Sequence, residues 1–212
     1  MKPDVLRRQS LRRARSLGFR CPGHLPLSSV GDARLRSLDE VVERAGALHA
    51  VIAVAFGFPP ERALEWLAEN GSSVCVAADE RELLSLPRAA GSSLARRLEL
   101  RIEGLWALCW ALGHIEELDF GSYCGDNLAD IMPDLKLAQS LNGFRRRSAL
   151  RPPSEIVAME DLAYCLDWAV TDARLKGLPE PGHVRGYVIH ERRHALSWIL
   201  WSGGWEETPI DT

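Results

Sequence analysis

The 212-residue chain lacks most of the features that announce a function. Its five cysteines, Cys21, Cys75, Cys109, Cys124 and Cys165, are odd in number and far apart, with no Cys-x-x-Cys pair. That spacing suggests neither a disulfide framework nor a zinc ribbon, and it fits a reduced cytoplasm. Long hydrophobic runs are missing as well. The longest, near Ala50–Phe58 and Gly104–Ile115, fall well short of the ~20 residues that cross a bilayer, so a soluble chain with no membrane partner is expected. There is no Gly-x-Ser-x-Gly, no Walker loop and no dinucleotide fingerprint, which leaves the enzyme classes recognised by those motifs without support. Neither an internal repeat nor a low-complexity segment occurs.

What is present describes a packed globular protein. Hydrophobic residues make up 46% and charged residues 26%, and the 12 prolines fall mainly at segment boundaries. A chain of this size buries roughly 70% of its unfolded surface without needing metals or disulfides. The net charge of -3 conceals an asymmetry. Through Arg36 there are nine basic residues against Asp4 and Asp32, and the remainder carries an acidic excess of ten. A basic arm over 1–30 therefore precedes an acidic body, expected to be a single helical domain over 31–212 with a hinge near 145–153. No aromatic residue before Phe19 offers a base a stacking surface, so the arm is expected to dock on its own body rather than on nucleic acid. A secretory signal is not expected, because Pro22, His24 and Pro26 interrupt the stretch after the arginines. Asp4 counts against a mitochondrial presequence.

Helical periodicity dominates, and the expected class is mainly α, with at most one small β element. Leu38, Val41, Val42, Ala45, Leu48, Val51, Ile52 and Ala55 step by three and four until Gly57 and Pro59-Pro60 stop them. A second helix with Ala63, Leu64, Trp66 and Leu67 follows and closes at Asn70-Gly71. Ser73–Val76 is the one candidate strand. Asp79-x-x-Glu82 has capping-box spacing. Ser92 or Ser93 caps the strongest helix, a continuous stripe from Leu94 to Leu112 ended by Gly113 and apolar over more than half its circumference from Gly104 onward, which places it centrally. Residues 122–142 read as loop with short helices. Two more helices are expected, from about Ser154 to Gly177 and from about Val184 to Trp201.

Three constellations bear on chemistry. His190-Glu191-Arg192-Arg193-His194 sets two imidazoles at i and i+4, the spacing that chelates zinc while the glutamate activates water. Two arginines beside a cation argue against that use, and the extended form of the motif fails at Ser197 and Leu200. No metal and no cofactor is expected. Glu103, set among apolar residues between Ile102 and Trp106, must be paired or have a raised pKa. Arg101, Arg192 or Arg193 are its expected partners, with Asp161 in the same network, a packing device before it is a reagent. Last, seven of the 15 aromatic residues are tryptophan. Trp106, Trp110, Trp168 and Trp198 are expected in the core. Trp201 and Trp205, with Arg192 and Arg193, are the candidates for contacting a partner, although core packing is the first expectation for Trp201.

The run Arg101-Ile-Glu103-Gly-Leu-Trp106-Ala-Leu-Cys-Trp110-Ala-Leu-Gly113, followed by Asp161 with Trp168-Ala169 and by Glu191-Arg192-Arg193-x-Ala195-Leu196-x-Trp198, resembles the bacterial DUF4272 family of uncharacterised proteins. The likeness extends to the Arg-rich start, the Leu25-Pro26 step and Glu43-Arg44-Ala45. It implies one mainly helical domain and no activity, and histidines at 190 and 194 are not characteristic of the family's closing motif.

The expected function is a non-enzymatic cytoplasmic protein that binds another protein, of an immunity or regulatory kind. The alternative is a hydrolase using Glu103, Asp161 and Glu191, with or without zinc at His190 and His194. Nucleic-acid binding through Arg7–Arg20 and Arg145–Arg151 ranks third. The sequence leaves the oligomeric state open.

Overall fold

In the computed structural model, residues 2–26, 35–86 and 90–210 are described. Ten α-helices occupy them: α1 (Pro3–Ser16), α2 (Leu38–Ala55), α3 (Pro60–Glu69), α4 (Ala78–Ser85), α5 (Ser93–Glu99), α6 (Ile102–Ala111), α7 (Leu128–Ile131), α8 (Leu141–Arg147), α9 (Pro153–Leu175) and α10 (Gly186–Ile199). The fold is mainly α, with no strand among the described residues. The chain divides into two compact units, one of residues 1–36, 117–123 and 151–212, the other of 37–116 and 124–150. The boundary expected at residue 30 lies outside the described residues.

The second unit is built around α2. Ser37 caps it by accepting from the Glu40 N–H, while the Glu40 carboxylate accepts from the Ser37 N–H. That reciprocal box satisfies two backbone donors that begin every helix unpaired. Downstream, α2 is apolar on nearly every face, and it packs against α3, α4, α5, α6 and α8. Pro60 starts α3 at the position where its missing N–H costs nothing.

The continuous helix expected from Leu94 to Leu112 is two helices. Between them Leu100, Arg101 and Glu103 donate to carbonyls three residues back rather than four, a 3₁₀ tightening. Apolar periodicity runs through the break, which hides it. Ser92 caps α5, accepting from Ala95 N–H, and α6 is buried along its whole length after Ile102. The candidate strand at Ser73–Val76 is a 3₁₀ turn, Ser73–Cys75, with Val74 facing solvent. The helix at 78 begins earlier than its expected box: Glu80, not Glu82, reaches back to accept from the Ala77 N–H at 2.9 Å. Gly113 adopts φ +80°, where a Cβ would stand 3.1 Å from the Ala149 carbonyl. Glycine is required there sterically as well as conformationally.

In the first unit α9 packs between α1 and α10. The basic arm is thus helix through Ser16, and Leu6, Ala14, Phe19 and Leu25 bury its apolar stripe. Arg145–Arg147, expected in a connection, form the last turn of α8, and the chain passes from one unit to the other between Leu150 and Arg151. No helix is long and apolar enough to cross a membrane among the described residues.

Candidate functional site

The acidic residues singled out by the sequence fall in both units. Glu103 belongs to the second unit, and Asp161 and Glu191 belong to the first. Glu103 is 1% exposed and accepts from the Cys124 backbone N–H at 3.0 Å. Asp161, equally buried on α9, is held by Arg7 of α1, whose Nη2 and Nε donate to it at 2.7 and 3.2 Å. Arg7 belongs to the basic arm. Its remaining donors go to the Leu25 and Pro26 carbonyls, so one guanidinium serves a carboxylate and two loop carbonyls at once.

The Glu191-Arg192-Arg193 string follows the same logic. Arg192 donates to the Asp119 and Ser122 carbonyls, with its guanidinium beside the Phe120 ring. Arg193 donates to Asp167 Oδ2 at 2.6 Å and to the Ile210 carbonyl at 2.9 Å, and lies over the Tyr164 ring. Both side chains are buried. A sequence cannot say that an arginine on an apolar helix points inward. The acceptors here are carbonyls of irregular segments that leave no pattern.

The two histidines of the His-Glu-x-x-His string have separate partners. His190 Nδ1 is 3.5 Å from Asp167 Oδ1. The Asp167 contact raises the imidazole's pKa against the opposing effect of burial. His194 Nε2 donates to the Trp205 carbonyl at 2.8 Å, with the two rings 4.3 Å apart. No group of three or more His, Cys, Asp or Glu that could hold a metal ion occurs among the described residues. Trp205 is buried, packed on Trp198 with ring centroids 5.6 Å apart. Trp201, expected inside, is 42% exposed. The reason is that α10 ends at Ile199, short of the expected Trp201, so the helical stripe no longer dictates its direction.

In the second unit, Arg44 of α2 and Glu80 of α4 form a fully buried pair joined by two bonds of 2.6 and 2.7 Å. Arg101 adds a second cation to Glu80 and grips Asp79. Burial alone would raise the Glu80 pKa, but the charges of Arg44 and Arg101 and the hydrogen bonds outweigh it and hold the group at about 2. It is a fixed anion at any physiological pH.

The same unit opens a groove of about 940 Å³ that the sequence did not mark. Its walls are the last turns of α2 (His49, Ala53), the bend Phe56–Pro59, Arg62 of α3, and the segment from Ala129 to Lys136. Phe56 is 65% exposed. Arg62 lies over the Phe58 ring and donates to the Lys136 carbonyl at 3.0 Å, tying the two walls together. His49 Nε2 donates to the Pro133 carbonyl at 2.8 Å, and burial lowers its pKa, so the ring is neutral near pH 7. Asp130 and Lys136 are exposed on the rim. The available signal was Phe56-Gly-Phe58-Pro-Pro, two aromatic residues placed after a helix has stopped, where periodicity no longer accounts for them.

Two mainly helical units, each with buried arginine–carboxylate pairs and one with a groove in its surface, define a mainly helical protein. The family model described as "Domain of unknown function (DUF4272)" matches residues 6–208, and the chain belongs to that family. No curated protein and no solved structure matches it.

Proposed function

We propose that this chain is a non-enzymatic cytoplasmic binding protein that seats a segment of another protein in the groove beside Phe56. The observation that carries the reading is that groove: an open concavity with aromatic and proline walls, edged by the charged Arg62, Asp130, Asp134 and Lys136. An aromatic residue as exposed as Phe56 at the lip of a concavity is the kind of anchor on which interface energy concentrates. The unit bearing it has 15 acidic residues against 11 basic ones. The segment proposed therefore presents an apolar side chain flanked by basic residues, which Asp130 on the rim attracts. Holding such a segment is how a regulatory or immunity protein would occlude its target. Hydrolysis by Glu103, Asp161 and Glu191 has less support, since Asp161 is bound to a buried guanidinium.

Benzoyl-phenylalanine placed at Phe56 tests this in living cells. The expected result is one polypeptide adduct that is absent when the same group replaces the equally apolar and exposed Leu175, and that weakens with Asp130→Lys. Equal labelling from both positions, or none from either, rejects the groove as a binding site.

A further inference from the structure

Cys21 and Cys165 stand together in the first unit for no purpose that packing explains. Cys21 follows the buried Phe19 at the end of the arm and is half-buried. Cys165 lies on α9 with no solvent exposure. The Cys21 thiol donates to the Cys165 carbonyl at 2.8 Å, which sets the two cysteines side by side, and each thiol shifts the other's pKa. Two arginines of α1, Arg7 and Arg15, add positive potential at Cys21.

We infer that Cys21 and Cys165 form a peroxide-reactive dithiol, in which the accessible Cys21 sulfur is oxidised first and the buried Cys165 sulfur closes a disulfide onto it. The placement divides the roles. Only Cys21 can meet a solute, and only a thiol already in contact with it can intercept the oxidised sulfur before a second peroxide arrives. Electrostatics support the same division. The Cys165 contact, followed by Arg7 and Arg15 acting against burial, lowers the Cys21 pKa. The Cys165 pKa is raised by the Cys21 contact first and burial second.

The balance is simple. The Cys21 thiolate attacks one oxygen of hydrogen peroxide and the O–O bond breaks. The departing hydroxide takes up the proton that Cys21 had released, giving water and a Cys21 sulfenic acid. The Cys165 sulfur then attacks the Cys21 sulfur, the S–O bond breaks, and the leaving hydroxide departs as water with the Cys165 proton. Two thiols lose two electrons, one peroxide gains them, and one disulfide joins the arm to α9. A thiol reductant reverses it.

The test uses the full chain and hydrogen peroxide. One equivalent should lower the intact mass by about 2 Da and reduce the five titratable thiols to three. A Cys21–Cys165 peptide cross-link should appear and vanish with dithiothreitol. The oxidised form should also melt at higher temperature, because the bond closes a long loop. Cys165→Ala should stop at a dimedone-trappable Cys21 sulfenic acid, and Cys21→Ser, a change at a half-buried position, should leave Cys165 unoxidised. Oxidation that consumes Cys75 or Cys124 while Cys21 and Cys165 remain thiols overturns the inference. So does a Cys21 sulfenic acid that accumulates in the unmutated chain without a cross-link.

Discussion

The two units of this molecule solve the problem of buried charge differently. In the first, arginines reach across to loops: Arg7 to the Leu25 and Pro26 carbonyls, Arg36 to those of Trp198 and Gly203, Arg192 to those of Asp119 and Ser122, and Arg193 to that of Ile210. In the second, four charges are gathered into one cluster of Arg44, Glu80, Arg101 and Asp79, set in a mostly apolar core around α2. The chain path accounts for the contrast. The first unit is assembled from three separate stretches, whose irregular parts carry carbonyls with no helical partner, and such groups must be satisfied when buried. Arginine has five donors in a rigid fork and no acceptor, so one side chain can neutralise a carboxylate and close two carbonyls. In the second unit, mostly helices consecutive in sequence, Arg44 and Arg62 each donate to one such carbonyl, those of Cys75 and Lys136. That unit keeps a groove in its surface.

The hardest test of this contrast is to remove one charge from the cluster. Arg44→Ala leaves Glu80 buried with half its compensation, and the loss expected is about 3–5 kcal/mol, measured as the shift in urea unfolding. The double substitution Arg44→Met/Glu80→Met should lose far less, because no buried ion is left behind. Should the double variant fall as far as the single one, the cluster is not the self-contained neutral package described above. Next in size is Arg193→Ala in the first unit, which removes the bonds to Asp167 and Ile210. It should cost about 2–4 kcal/mol and speed proteolysis near residues 206–210. Arg193→Lys should not rescue it, since a single ammonium cannot span both acceptors in that geometry. Rescue by lysine would reduce the clasp to mere charge.

Much of the helical order was legible because apolar spacing, caps and glycine stops agree: Pro60 in α3, Ser92 before α5, Gly113 after α6 and Gly177 after α9. What periodicity could not report is a change of hydrogen-bond register inside an apolar run, which is why α5 and α6 were read as one. It also could not assign partners. That carboxylates and guanidinium groups neutralise one another inside the fold was legible from their setting in apolar helices, as with Asp161. The pairing of Asp161 with Arg7 was not, because it joins residues 154 positions apart. The groove was the least visible feature. It depends on Phe56 and Phe58 meeting the 129–136 segment, and no local rule connects them.

Phe56→Ala should move global stability by less than about 0.5 kcal/mol, the usual range for an exposed position away from the core. It should at the same time abolish capture of the partner, a separation that no buried aromatic such as Trp205 can give.

The smallest effect is the one that distinguishes the units by sign. His190 of the first unit has a pKa raised by Asp167, so the fold binds its proton more tightly than the unfolded chain does. Its contribution is complete below the unfolded value of about 6.5 and is lost as pH rises through the higher folded value. His49 of the second unit has a pKa lowered by burial. Its contribution is present above about 6.5 and is lost as pH falls through the lower folded value. Urea midpoints measured between pH 5 and 9 should therefore respond on opposite limbs: His190→Asn flattens the alkaline side, and His49→Gln flattens the acid side above the range where carboxylates titrate. Glu80, held at about 2, cannot contribute in that window. Were both substitutions to flatten the same limb, the two histidines would share an environment, and the difference between an ion-paired imidazole and a buried neutral one would not hold.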